Sequence, residues 1–215
     1  MKIAILTTKK NWFVKYAYIL QKNLQKKYTT KIFFSHEKID NTYSIVFILS
    51  YHRIIPKCYL QMHTYNLVVH ASSLPKGKGW APLIWQVIEG KSKIIFTLFE
   101  ANESIDDGAI YLQHEIILSG SELYQDLRKI QANTTIDICL RFIKNMTNIK
   151  PKLQEGKESF YKKRTLKDSQ LDIHKTIKEQ FNLLRTVDNE EFPAYFEING
   201  KRYILKIEYD CRGEL

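Results

Sequence analysis

His70 ends the apolar run Asn66-Leu-Val-Val-His70 and is followed by Ala-Ser-Ser-Leu and the loop Pro75-Lys-Gly-Lys-Gly79. An imidazole at a strand's mouth, beside exposed backbone donors and two cations, suits general acid–base work or support of a developing anion. A second loop, Ser104-Ile-Asp-Asp-Gly-Ala-Ile110, precedes another strand-like run. A carboxylate brought from it to the histidine would orient the ring and hold its charged form. Each signal is modest alone: a lone histidine is more often structural, and Asp106 also reads as a turn-forming Asx residue. The glycine loop is not a Walker loop, since it lacks the Gly-Lys-Ser/Thr ending.

The elements that must position these residues follow from periodicity. Ile3–Thr7, Lys31–Ser35, Ser44–Ser50, Leu67–His70, Ile94–Glu100 and Ala109–Leu118 read as strands, the third so continuously apolar that it should be covered on both faces. Phe13, Tyr16, Ala17, Leu20 and Leu24 make one helical face. Trp80 to Glu89 reads as a helix with Pro82 in its first turn and Gly90 at its end. Ser119 with Glu122 is a capping-box pattern predicting a helix to about Met146. Alternating strands and helices imply an α/β sheet, mostly parallel, with its ligand crevice at the strands' carboxyl ends, where His70 stands. After Pro151, Lys152 to Lys163 reads as a surface connection, Asp172 to Val187 as a helix, and Ala194 to Tyr209 as a hairpin turning at Asn199-Gly200. These divide the chain into a main unit, residues 1–150, and an appendage, residues 151–215.

At 215 residues and 44% hydrophobic content the chain can bury one substantial core. No apolar run is long enough to span a bilayer, and the N-terminus opens directly on a strand-like segment, so the expected location is the cytoplasm and no membrane partner is expected. Cys58, Cys139 and Cys211 contain no CxxC pair, so neither a disulfide framework nor a metal site is expected. The net charge of +10 is spread along the chain. That argues for a positive field around a small phosphorylated substrate more than for a nucleic-acid partner.

The stretch Val68 to Gln113, "VVHASSLPKGKGWAPLIWQVIEGKSKIIFTLFEANESIDDGAIYLQ", resembles the core of the folate-dependent formyltransferases. This family includes glycinamide ribonucleotide, methionyl-tRNA and sugar-nucleotide N-formyltransferases. Its strand-end Asn-x-His-x-Ser-Leu-Leu-Pro motif is followed by a Gly-bearing loop, a helix, a strand and an Asp-x-Gly motif, and the order is the same here. The resemblance implies a formyltransferase fold, Rossmann-like with helices on the sheet's faces, and formyl transfer from 10-formyltetrahydrofolate to a primary amine without a metal. By position it makes His70 and Asp106 catalytic, with Asp107 the second candidate. It places folate against Phe99, Glu100, Ala101, Ile105 and Gly108, and assigns Ser72 and Pro75 to the motif.

One position departs. The family asparagine two residues before the histidine, which helps hold the formyl oxygen as it becomes an oxyanion, falls on Val68. Asn66 shares the strand face but stands roughly 13 Å from His70 at about 3.3 Å per residue. Losing one such donor costs about 3 to 4 kcal/mol. Either a replacement exists, Asn102 being the candidate, or the site has lost activity and binds its ligands without turnover.

For the acceptor, the tail from "KKRTLKDSQLD" to "YILKI" is similar to sugar-nucleotide formyltransferases, and "SYHRIIP" resembles members acting on a UDP-linked 4-amino-4,6-dideoxy sugar of the pseudaminic acid type, in surface-glycan biosynthesis. Methionyl-tRNA enzymes carry a longer C-terminal barrel, for which this sequence is expected to be too short. An aminosugar nucleotide would give Ser72, Lys76, Lys78 and Arg185 a role toward substrate, with Trp80 stacking on a ring or capping the next helix. A basic RNA-acting protein is the reading that charge alone would motivate. The terminal hairpin could extend a partner's sheet in a homodimer or pack on its own chain.

Overall fold

Ile3 to Leu6 and Ile45 to Ile48 lie in the middle of a six-stranded sheet, their side chains almost wholly removed from water. A computed structural model describes residues 1–210. The strands are β1 (Lys2–Leu6), β2 (Thr29–Phe33), β3 (Ile45–Ile48), β4 (Tyr65–His70), β5 (Lys78–Gly79), β6 (Lys93–Glu100), β7 (Ile110–Ile117), β8 (Phe160–Tyr161), β9 (Ala194–Ile198) and β10 (Lys201–Leu205). The main sheet has the order β2-β1-β3-β4-β6-β7. Neighbours from β2 to β4 run parallel; β6 is antiparallel to both β4 and β7.

The helices are α1 (Val14–Leu24), α2 (Lys57–Leu60), α3 (Pro82–Ile88), α4 (Tyr124–Asn145) and α5 (Phe181–Leu184). Alternation along the strands builds two cores. Ile3, Ile5, Ile45, Phe47 and Leu67 pack with Ala17 and Leu20 of α1, Leu83 and Val87 of α3, and Leu127, Cys139 and Phe142 of α4. Ala4, Leu6, Val46 and Ile48 face the other way, against Phe33, Ile39, Tyr43 and Leu60. Covered on both sides, these strands could only be continuously apolar.

Two expected elements are corrected. Glu122 does not cap a helix starting at Ser119: its carboxylate accepts from the Ser119 and Gly120 amides and closes a separate turn, in which Gly120 has φ +97°. The cap lies four residues later, where Asp126 Oδ2 accepts from Leu123 N–H at 3.1 Å. The helix expected over Asp172 to Val187 shrinks to the single turn of α5. Polar side chains compete locally for the backbone there: Gln180 bonds both N–H and C=O of Asp172, and Glu179 accepts from Thr176 N–H. Ile173 and Ile177 stay exposed with no apolar surface to dock on.

The appendage gathers a small core from Leu171, Leu184, Val187 and Ala194, beneath the β9–β10 hairpin. Asn199 and Gly200 take left-handed φ of 51° and 72°, the conformation a two-residue hairpin turn needs. Residues 152 to 163 are largely exposed, as a surface connection would be, yet they are bonded to the main unit. Lys152 pairs with Ile110, and β8 forms a two-stranded parallel ladder with β5. Cys58 and Cys139 are free thiols; Cys211 lies outside the described residues. Among the described residues no helix is long and apolar enough to cross a membrane, and no cluster of three His, Cys, Asp or Glu could hold a metal ion.

Candidate active site

β4 ends at His70, and the chain beyond it is pinned from two elements. Thr97 of β6 donates to Ser72 O at 2.7 Å, and Gln86 of α3 donates to Ala71 O at 2.7 Å. The imidazole, 8% exposed, turns Nε2 toward Gly77 O at 2.8 Å. A carbonyl can only accept, so Nε2 carries the proton. Asp106 Oδ2 stands 3.7 Å from the same nitrogen, with both side chains mostly buried. Of the sequence-predicted catalytic residues His70, Asp106 and Asn102, the first two are therefore brought together, although Asp106 comes from the loop joining β6 to β7.

Backbone conformation makes that meeting possible. Gly77 and Gly79 have φ of +73° and +93°; a Cβ on Gly79 would stand 2.5 Å from Tyr161 O. Gly79 N–H donates to Asp106 Oδ2 at 2.8 Å. Asp106 itself adopts φ +51°, unfavourable for a residue with a Cβ by about 1 to 2 kcal/mol. Gln154 holds it there: its Nε2 donates to Asp106 O and to Gly108 O, each at 2.9 Å. Gly108 must be glycine, because a Cβ would lie 1.6 Å from Glu100 O.

The same strap of chain, residues 152 to 161, also fixes the glycine loop. Ser159 Oγ accepts from Gly77 N–H at 2.9 Å, Ser159 O from Lys78 N–H at 2.9 Å, and Tyr161 O from Trp80 N–H at 3.1 Å. Gln154, Glu158 and Ser159 were not singled out from the sequence. They sit in a polar stretch with no motif, and the β5–β8 pairing that recruits them is too short to leave a periodic signal.

The predicted substrate cations divide. Lys78 is buried and its ammonium lies between Asp107 and Glu158, the latter at 2.9 Å. Burial works against its charge, but these two bonds outweigh it and hold its pKa above the ordinary lysine value. Arg185 is likewise buried and committed, with Nη1 on Glu122 Oε2 at 3.3 Å and Nε on Asn182 Oδ1 at 2.9 Å. Lys76 is exposed. Trp80, 42% exposed, stacks on His52 at 5.6 Å, with Lys163 Nζ 5.1 Å from its ring. Ser72 is buried with an unpartnered Oγ.

Asn102 is exposed and spends its carbonyl on an Asx turn, accepting from Ser104 N–H at 2.9 Å. Val68, half-buried, packs with Ala101 on the apolar cluster under β1 and β3. Asn66 is occupied elsewhere, donating to Leu60 O at 2.8 Å, while Glu100 Oε1 accepts its backbone N–H at 2.7 Å. Burial raises the Glu100 carboxyl above its ordinary pKa, against the bonds from Asn66 and Tyr111. Phe99 is buried and Ile105 exposed at 66%, so the loop from 99 to 108 is rooted in the core and open at its tip.

Five buried side-chain polar atoms among the described residues find no protein partner: Thr7 Oγ1, Thr8 Oγ1, Ser72 Oγ, Gln154 Oε1 and Arg164 Nε. Native interiors rarely leave such groups unpaired. The five lie at the end of β1, in the loop after β4, in the strap and at the start of the tail.

Comparison with known proteins places the chain in a family. Residues 2–135 match the formyl transferase family. A methionyl-tRNA formyltransferase of Ehrlichia canis is 27% identical over 168 residues, 77% of this chain and 54% of that protein. The chain thus spans about half the length of the curated relatives it matches. Among solved structures, a methionyl-tRNA formyltransferase from Clostridium thermocellum superposes with TM-score 0.82 at 20% identity, covering 100% of this chain and 95% of that one. A sugar N-formyltransferase from a Shewanella strain superposes with TM-score 0.71 at 17% identity, covering 99% of each.

Proposed function

The chain belongs to the formyl transferase family, and from that premise we propose that it moves a formyl group from 10-formyltetrahydrofolate to the primary amine of a nucleotide-linked aminosugar. The acceptor that fits best is a UDP-linked 4-amino-4,6-dideoxy sugar of the pseudaminic acid type. One observation carries the reading: a protonated His70 Nε2 and an Asp106 carboxylate 3.7 Å apart at the carboxyl end of β4, each fixed by the backbone of one glycine loop. The donor would supply an activated formyl group, lying along the loop from Phe99 to Gly108. The residues there suit it: apolar Val68 and Ala101 beneath, an exposed loop tip, and the unpartnered Ser72 hydroxyl beside His70.

His70 donates Nε2–H toward the formyl oxygen as negative charge grows on it. With valine at 68, His70 is the side-chain donor at this strand end, and its bond to Gly77 O is the one it exchanges for the oxyanion. Asp106 accepts the proton the attacking amine releases, and as the oxyanion collapses and the bond from the formyl carbon to the folate nitrogen breaks, that proton passes to the departing nitrogen, giving tetrahydrofolate. The Asp106 Oδ2 is already held by Gly79 N–H, so the carboxylate is oriented before substrate arrives. Asp107, whose charge is taken up by Lys78, has the supporting part.

The test is formylation followed by mass spectrometry, with 10-formyltetrahydrofolate, a panel of UDP- and TDP-aminosugars, and methionyl-tRNA in parallel. We expect one aminosugar to gain a formyl group and His70→Ala and Asp106→Ala each to lose about 100- to 10,000-fold in rate. Product on methionyl-tRNA alone would overturn the acceptor. No product on any amine would return Val68 to the reading of a site without turnover.

A further inference from the structure

When His70 gives its Nε2–H to the formyl oxygen, Gly77 O loses the one hydrogen bond it accepts among the described residues. Gly77 is buried, and a buried carbonyl without a donor is costly. The peptide cannot carry its oxygen elsewhere. Gly77 N–H donates to Ser159 Oγ at 2.9 Å, and Lys78 N–H, the other end of the Gly77–Lys78 peptide, donates to Ser159 O at 2.9 Å. The Tyr161 ring closes on the same residue, its Cε2 2.9 Å from where a Cβ on Gly77 would stand. A replacement donor must therefore come to the carbonyl.

Ser72 stands beside it. Its Cβ and Oγ lie 3.0 and 3.4 Å from that same Cβ position, so Ser72 packs on the face of Gly77 that a side chain would have covered. The residue is 1% exposed, and its hydroxyl has no hydrogen-bond partner among the described residues. Its main chain is fixed: Thr97, opposite His70 in the β4–β6 register, donates to Ser72 O at 2.7 Å. What remains free is rotation of the side chain and its O–H, which is how a hydroxyl finds an acceptor. The Lys78 ammonium, the other donor carried by this loop's buried side chains, is already taken by Asp107 and Glu158. An alanine at 72 would delete a buried polar group that goes unbonded, so folding alone gives no reason for the hydroxyl.

We propose that Ser72 is a positioning residue for formyl transfer: as His70 gives its Nε2–H to the growing oxyanion, the Ser72 hydroxyl donates to Gly77 O in its place. One bond at the carbonyl is broken and one is made, so the imidazole is released toward substrate without stranding a buried acceptor. The interaction exists only when the oxyanion does, and so it acts on the transition state and not on the binding of either substrate. The inference rests on the reading of His70 as the oxyanion donor, and not on which amine is formylated.

Steady-state formylation of the amine that the wild type accepts, with kcat and KM resolved, tests it beside urea unfolding. Ser72→Ala should lower kcat about tenfold with KM unchanged, and leave the unfolding midpoint unchanged or raised. Ser72→Cys, a weaker donor of nearly the same size, should fall between. A second arm needs no substrate: His70→Phe keeps a ring beside Gly77 O but offers it no donor. In that background Ser72→Ala should lower the midpoint, although in the wild type it does not, so the two changes are non-additive. If His70→Phe fails to fold, the kcat arm decides alone. Unchanged kcat in Ser72→Ala, a raised KM with kcat intact, a midpoint lowered in the wild-type background, or additive midpoints overturns the proposal. Coupled midpoints with no amine formylated leave the hydrogen-bond exchange standing and remove the proposed function; formylation with a Ser72-independent kcat removes the exchange alone.

Discussion

Replacing Gln154 with leucine tests the claim that a residue outside the matched family region positions Asp106, the proposed catalytic aspartate. Gln154 Nε2 gives one hydrogen bond to Asp106 O and one to Gly108 O. Each is a neutral amide-to-carbonyl bond worth about 0.5 to 1.5 kcal/mol net, so the pair holds the loop by about 1 to 3 kcal/mol. Against this stands the left-handed backbone of Asp106, which favours a different loop conformation by about 1 to 2 kcal/mol. The terms are comparable, so removing the amide moves the aspartate from mostly placed to mostly displaced. At about 1.4 kcal/mol per tenfold, we expect kcat to fall about tenfold. The unfolding midpoint should drop by only a few degrees, since about 1 kcal/mol shifts a chain of this size by roughly 2 to 4 °C. The assay is steady-state formyl transfer with kcat and KM resolved, beside thermal unfolding followed by circular dichroism. Gln154→Glu should be worse than leucine, because it sets a carboxylate against two carbonyl oxygens. A Gln154→Leu enzyme with unchanged kcat, whatever its melting temperature, would refute the reasoning.

Lys78→Met should leave UDP affinity unchanged and cost about 1 kcal/mol in urea unfolding, because Asp107 and Glu158 are 47% and 57% exposed and rehydrate when the ammonium is gone; a tenfold loss of UDP affinity would instead make Lys78 a phosphate ligand. Burial raises the Glu100 pKa above its ordinary 4.5, so the folded state binds the proton more tightly than the unfolded chain. Its contribution is complete below that value and is lost as pH rises through the folded pKa. Glu100→Gln should flatten this fall in stability with pH, read from urea midpoints between acid and neutral pH, and an unchanged slope would exclude it. Gly108→Ala, whose Cβ would meet Glu100 O at 1.6 Å, should destabilise the fold by more than about 3 kcal/mol, seen as a lowered urea midpoint or loss of soluble protein.

The strands were legible because burial on both faces writes itself as unbroken apolar runs, whereas His70 and Asp106 carry only modest local marks and were singled out by the resemblance to the formyltransferase motif. What could not be read was anything decided by distant partners. Lys78 looks like a free loop cation until Asp107 and Glu158 arrive beside it. Glu122 satisfies a capping pattern, yet the turn at Gly120 moves the helix start to Leu123. Asp172 to Val187 has helical spacing but nothing for Ile173 and Ile177 to pack on. Asn102 was reachable in sequence from the site, and its Asx turn takes its carbonyl away.

The strap has a consequence for how the molecule comes into being. Gly77 and Ser159 are 82 residues apart, Lys78 and Glu158 80, Asp106 and Gln154 48. Such long-range closures are entropically disfavoured early in folding and form once local structure has shortened the effective loop. With α4 docked on the sheet, only the segment after Asn145 remains to be closed. A chain emerging from the ribosome can therefore complete β1 to β7 and α4, with the whole of the matched region 2–135, before the clamp on Asp106 has been synthesised. The stretch that identifies the family and the stretch that finishes the geometry of the proposed catalytic pair are different, and on the proposed function, activity would report that synthesis has passed the strap.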